Sequence, residues 1–140
     1  MIAENLQRIK ERILAVCLRT KRNPAEIMLV CVAKGQSLAK IEEAVSLGLK
    51  HIAENRVQEA IVKYNELRVR ERANPLTINW HMVGHLQSNK VREAVKIFDL
   101  IHSVDSVSLA QEINKQALKM NKTQDILLEV KTSPEVRKFG

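Results

Sequence analysis

Lys34 directly follows the apolar run Ile27-Met28-Leu29-Val30-Cys31-Val32-Ala33 and directly precedes a small turn, Gly35-Gln36-Ser37. A lysine at the carboxyl end of a buried parallel strand stands where α/β enzymes place their chemistry. A lysine amine that has lost its solvation is a nucleophile, and with an aldehyde it forms a Schiff base. Polar groups recur at comparable points along the chain. Glu54 and Asn55 follow a second strand-like segment, His81, Gly84 and His85 close a third, Ser103 and Asp105 a fourth, and Lys131, Thr132 and Ser133 a fifth. If the five segments are parallel strands, all of these groups reach one rim, and in a barrel that rim carries the active site.

Not every polar residue is read as functional. His81 and His85 are four apart, a metal-pair spacing only on a helix. Here they straddle a strand end and a turn, so no metal is expected, and His81 is expected to pack or hydrogen bond at the rim. His51 and His102 read as structural histidines. Asn55 is placed to cap the helix that follows it. Ser88-Asn89-Lys90 reads as a helix cap and first turn.

The elements that must position these groups follow from periodicity. Ile2, Leu6, Ile9, Ile13 and Val16 predict an amphipathic helix over 2–18 with one buried stripe. Asn23-Pro24 predicts a short capped turn. The uninterrupted apolar run over 27–33 predicts a strand covered on both faces. Ser37 is expected to cap a helix carrying Leu38, Ile41, Ala44 and Val45, with Gly48 as its stop. A strand over 50–54 precedes a helix marked by Val57, Ala60, Ile61, Tyr64 and Leu67. Asn74-Pro75 breaks the chain, and Thr77 to Val83 reads as a third strand. A short helix follows through Val91, Ala94 and Val95, then a strand from Leu100 to Val104. Ser106 caps a helix with Val107, Leu109, Ala110, Ile113 and Ala117, and 125–130 reads as a fifth strand. This βα alternation predicts an α/β fold with a parallel sheet and right-handed crossovers. An open doubly wound sheet and part of a (β/α)8 barrel both fit.

Composition narrows the function classes. The chain has 140 residues, 45% of them apolar and 28% charged, which suits one soluble domain over 1–140. No segment approaches the ~20 apolar residues that span a bilayer. The opening Met1-Ile2-Ala3-Glu4-Asn5-Leu6 lacks a basic region followed by an apolar one, so a cytoplasmic location is expected. Cys17 and Cys31 are expected to be reduced. The net charge of +7 invites a nucleic-acid reading. The basic residues are interleaved with acids, however, as in Arg68-Val69-Arg70-Glu71-Arg72, and only 3% of residues are aromatic. They read as solvated helix faces, and a nucleic-acid partner is not expected.

Four strings carry a family resemblance. They are Leu29-Val30-Cys31-Val32-Ala33-Lys34, Ala53-Glu54-Asn55-Arg56-Val57-Gln58-Glu59, the segment from Trp80-His81-Met82-Val83-Gly84-His85 to Leu86-Gln87-Ser88-Asn89-Lys90, and Ile101-His102-Ser103-Val104-Asp105-Ser106. Leu127 to Ser133 and Lys138-Phe139-Gly140 fit as well. On these residues the chain resembles the pyridoxal-phosphate (PLP) homeostasis proteins, whose fold is similar to the N-terminal barrel of alanine racemase. Ala33, Gly35-Gln36 and Lys131 depart locally from the family pattern.

The resemblance implies a (β/α)8 barrel of the TIM type, of which this chain holds an N-terminal helix and about five βα units. It implies PLP bound as a Schiff base on Lys34, with Asn55 lining the cofactor pocket and His81 near the same rim. It implies little or no catalytic turnover, and a role in buffering PLP or delivering it to apo PLP-dependent enzymes. A fold-type-III racemase or decarboxylase is the alternative. A complete barrel takes ~250 residues, so the chain is expected to be a fragment with unpaired strand edges that favour self-association.

Overall fold

The computed structural model describes residues 1–71 and 78–132. The elements are α1 (Ile2–Thr20), β1 (Val30–Val32), α2 (Leu38–Ser46), β2 (His51–Glu54), α3 (Val57–Glu71), β3 (Asn79–Met82), α4 (Val91–Ile97), β4 (Leu100–Val104), α5 (Val107–Lys119) and β5 (Asp125–Leu128). Single 3-10 turns cover Pro24–Glu26 and Ser88–Lys90. The expected break at Asn74-Pro75, the expected strand start at Thr77, and Ser133, Lys138, Phe139 and Gly140 lie outside the described residues.

Local chemistry sets several boundaries. The Asn23 side chain accepts the Ala25 N–H at 3.0 Å, with Pro24 in the first helical position. Gly48, at φ +91°, ends α2. Its N–H bonds to the Val45 carbonyl and that of Leu49 to the Ala44 carbonyl, so two otherwise orphaned carbonyls are satisfied. Ser106 caps α5 by accepting the Leu109 N–H. Ser37 occupies the cap position of α2 without a side-chain hydrogen bond. Lys122 takes over the other end of α4: its Nζ donates to the carbonyls of Val95 and Phe98, at 2.8 and 2.9 Å.

The five strands pair in parallel in the order β1-β2-β3-β4-β5. One apolar core joins the helix-facing residues Ile52, Trp80, Met82 and Ile101 to Ile41 of α2, Ala60 and Leu67 of α3, Val91 and Val95 of α4, and Leu109 and Ile113 of α5. Tyr64 of α3 packs edge-on against Trp80, with ring centres 5.9 Å apart. All four crossover helices therefore cover the same face of the sheet. A doubly wound sheet splits its helices between two faces and reverses strand order at a switch point. Sequential order with one helical face is the (β/α)8 barrel arrangement, so the described strands are part of such a barrel rather than of a doubly wound sheet.

Two expectations about burial are corrected. The apolar run at β1 is not covered on both faces: Met28 is 58% and Val32 49% exposed. β1 and β5 are the outer strands of the described sheet, and the face opposite the helices has no layer over it at β1. On α1 only Leu6 and Cys17 are buried, whereas Ile9 and Val16 of the expected stripe are largely exposed. The helix leans on α2, the Pro24–Glu26 turn and the start of the sheet, and this contact covers only part of the stripe. Both cysteines are free thiols.

Glycine is required where β3 leaves the sheet. A Cβ on Gly84 would lie 2.8 Å from both the Cα and the carbonyl carbon of Asn55, and in contact with the Asn55 oxygen. The neighbouring Val83 N–H donates to the Glu54 carbonyl at 3.0 Å, which locks the two strand ends together. Gly84→Ala forces backbone against backbone at the rim. It is expected to destabilise the protein by roughly 1–3 kcal/mol, the usual cost of overpacking, measurable as a lower urea midpoint with an unchanged m-value.

Candidate functional site

The carboxyl ends of the strands converge on one rim. Lys34 and Gly35 form the turn after β1, with Gly35 at φ +67°, and Gln36 N–H closes the turn on the Ala33 carbonyl at 3.0 Å. Lys34 is exposed there, and among the described residues its amine forms no hydrogen bond or ion pair. The desolvated lysine expected from the apolar run is thus not what the structure presents: Ala33 is buried, but the turn carries the next residue out of the core.

Asn55 lies half-buried in the turn after β2. It does not cap α3. The Ala60 N–H bonds to the Arg56 carbonyl, so the residue before the first helical position is Arg56. The close approach of Gly84 fixes the Asn55 backbone one residue before the cap position.

His81 is not at the rim. It lies inside β3, 2% exposed, and faces away from the helices because its neighbour Trp80 packs on α3. Its Nε2 meets His51 Nδ1 at 3.0 Å and its Nδ1 meets His102 Nε2 at 2.9 Å. Three imidazoles on three consecutive strands therefore form one hydrogen-bonded row, with both nitrogens of the central ring in use. His51 and His102 have the structural role expected of them. The row itself was detectable in the sequence only by parity, each histidine falling on the strand face opposite Ile52, Trp80 or Ile101.

The pKa of His81 is lowered to about 4, by burial first and then by His102 and His51, while Asp99 acts in the opposite sense. Asp99 is held nearby because its Oδ2 accepts the Trp80 N–H at 2.7 Å. Burial also lowers the pKa of His102.

A charged pair that sequence reading missed sits beneath the Lys34 turn. Lys63 Nζ lies 2.5 Å from Glu54 Oε1 and donates to the Ala33 carbonyl at 2.8 Å. The Glu54 side chain is 0% and that of Lys63 13% exposed. The signal was available: Lys63 falls between Ala60 and Leu67 on the buried stripe of α3, and Glu54 shares the helix-facing parity of Ile52. On the far side of the rim, His85 Nδ1 and Asp105 Oδ2 approach to 3.6 Å. No three His, Cys, Asp or Glu side chains among the described residues gather into a metal site, and no helix there is long and apolar enough to cross a membrane.

The profile of the alanine racemase N-terminal domain matches residues 3–138. The chain belongs to that family. The pyridoxal phosphate homeostasis protein of Synechocystis sp. is 41% identical over 117 residues, covering 84% of this chain and 51% of the relative. PipY of Synechococcus elongatus, solved without PLP, superposes with a TM-score of 0.79 at 41% identity, covering 100% of this chain and 58% of PipY. PipY solved with PLP bound gives a TM-score of 0.74 at 39% identity, covering 96% of this chain and 57% of PipY. The chain thus spans between half and three-fifths of the length of these family members.

The histidine row makes stability depend on pH. The fold favours neutral His81, so above about pH 6.5 folded and unfolded chains bind the same number of protons there. Below that the unfolded chain takes up the proton first, and stability falls until the folded group titrates near pH 4. The loss totals roughly 3 kcal/mol. His81→Gln is expected to flatten the fall of Tm between pH 6.5 and 4 measured by calorimetry, whatever its effect on Tm at pH 7.

Proposed function

We propose that this chain is part of a PLP-binding protein of the homeostasis type, holding the cofactor as a Schiff base on Lys34. The observation that carries the reading is the Lys34 turn: an accessible, unpaired amine at the carboxyl end of the first strand of a barrel shared at 39% identity with a PLP-bound relative. The residues present suit the group. The Lys34 amine would hold the cofactor through its aldehyde, which would supply the electrophile for a C=N bond with loss of one water. Asn55, held at the next strand end by Gly84, lines the same rim. His81, with both ring nitrogens occupied by other rings, acts beneath the site by holding the strands rather than by donating to the cofactor. When bound, PLP supplies an electrophilic aldehyde that exchanges between amines, which suits storage and handover with little or no turnover.

The partners in this reading are PLP itself and apo PLP-dependent enzymes in the cytoplasm, with no nucleic acid. Self-association is supported by apolar side chains exposed on the outer strands, Val32 on β1 and Leu127 and Leu128 on β5. The alternative, a fold-type-III racemase or decarboxylase, needs a second acid–base group at the rim. The sole tyrosine does not supply it: Tyr64 packs on Trp80 at the helix face, its hydroxyl accepting from Arg68 at 3.3 Å.

The test is a PLP titration followed by borohydride reduction and peptide mapping. A yellow absorbance band is expected, with the reduced cofactor on Lys34, and Lys34→Ala is expected to abolish both. Label scattered over many lysines, or a band that survives Lys34→Ala, would overturn the assignment.

A further inference from the structure

The Glu54–Lys63 pair is costly to bury, and the pattern around it would accept apolar residues. Exchanging a buried ion pair for well-packed hydrophobic side chains is often neutral or stabilising. Glu54 Oε2 is buried without a hydrogen-bond partner, so the carboxylate is not fully compensated. Stapling α3 to β2 therefore does not by itself account for the pair. What apolar residues could not replace is the third contact, from Lys63 Nζ to the Ala33 carbonyl.

That carbonyl belongs to the peptide unit joining Ala33 to Lys34. Its two lone pairs are both used, by the Gln36 N–H at 3.0 Å and by Lys63 at 2.8 Å. On the other side of Ala33, its N–H donates to the Ala53 carbonyl at 2.8 Å. The residue before Lys34 is thus held at both its N–H and its C=O, and among the described residues a largely buried cation aimed by a buried anion supplies the one side-chain hydrogen bond to it. A charge-assisted hydrogen bond is shorter and stiffer than a neutral one, and Glu54 prevents Lys63 from turning to solvent.

From this geometry we infer that Lys63, anchored by Glu54, is a positioning residue for Lys34. It fixes the peptide plane from which the Lys34 side chain departs, and so the direction in which the amine is presented. The inference rests on the reading that Lys34 bears PLP. Neither Glu54 nor Lys63 touches the cofactor in it.

The test uses the double variant Glu54→Gln/Lys63→Met, which removes both charges together and leaves no unpaired ion in the core. Ile61→Val, a methylene deletion on the same helix, serves as the structural control. Two readouts are taken on each protein. One is the amide hydrogen-exchange rate of Gln36 without cofactor. The other is the rate of borohydride-trapped PLP labelling at Lys34, relative to the exposed lysines. In the double variant, Gln36 exchange is expected to rise tenfold or more and Lys34 labelling to fall by a similar factor, whereas Ile61→Val leaves both at wild-type values. A folded double variant that matches wild type in both readouts overturns the inference. So does an Ile61→Val protein that loses labelling equally, because the effect would then be general loosening of α3. A wild-type chain unlabelled at Lys34 overturns the cofactor reading and the inference with it, and that result appears before any variant is compared.

Discussion

The parallel hydrogen bonding of β2 to both of its neighbours is the constraint from which the rim follows. Val30, His51 and Asn79 lie in register across β1, β2 and β3, as do Val32, Ala53 and His81. That register sets the strand ends at Val32, Glu54 and Met82 within one residue of one another. The ladder also continues past the strands as drawn, through the Ala33 N–H to the Ala53 carbonyl and the Val83 N–H to the Glu54 carbonyl. Lys34, Asn55 and Gly84 are simply the residues that follow these last bonds. Moving any one strand by a single residue would exchange its helix-facing and opposite-facing side chains. Trp80 would leave the core, and His81 would enter it.

Most of the architecture was legible because apolar runs and helical stripes alternate cleanly along the chain. Element types match throughout the described residues, and the Asn23, Gly48 and Ser106 boundaries were readable from turn and cap chemistry alone. The choice between a doubly wound sheet and a barrel was legible only through the family resemblance, not from the alternation itself. It depends on which face each crossover helix covers, and right-handed crossovers occur in both. The burial of α1 was overestimated for a related reason: periodicity reports which residues could share a face, not how much of that face finds a partner. The run at β1 misled in the same way, since a continuous apolar segment does not distinguish a central strand from an outer one.

At the site, the residues that follow strand ends were found, and those that act beneath them were not. Lys34 and Asn55 are where their spacing puts them. Asn55 is not the helix cap: the first intrahelical bond of α3 is accepted by Arg56, one residue later. His81, expected near the rim, instead lies one residue inside the end of β3 with both ring nitrogens taken up by His51 and His102. Lys63 went unremarked because a lysine in an amphipathic helix is ordinarily solvated. Only its coincidence with the buried stripe, and with a glutamate on the helix-facing side of the preceding strand, sets it apart.

The row of imidazoles has a stoichiometric consequence. Each neutral ring carries one N–H, so two hydrogen bonds along three rings can both point toward His51 or both toward His102. One added proton placed on His81 keeps both bonds, with the central ring donating in each direction and the outer rings accepting. A second proton cannot be accommodated on the facing nitrogens, because two N–H groups would then meet head-on. The row can therefore keep both hydrogen bonds with one added proton but not with two. Whichever way they point, the two bonds tie β2, β3 and β4 together on the face opposite the helices.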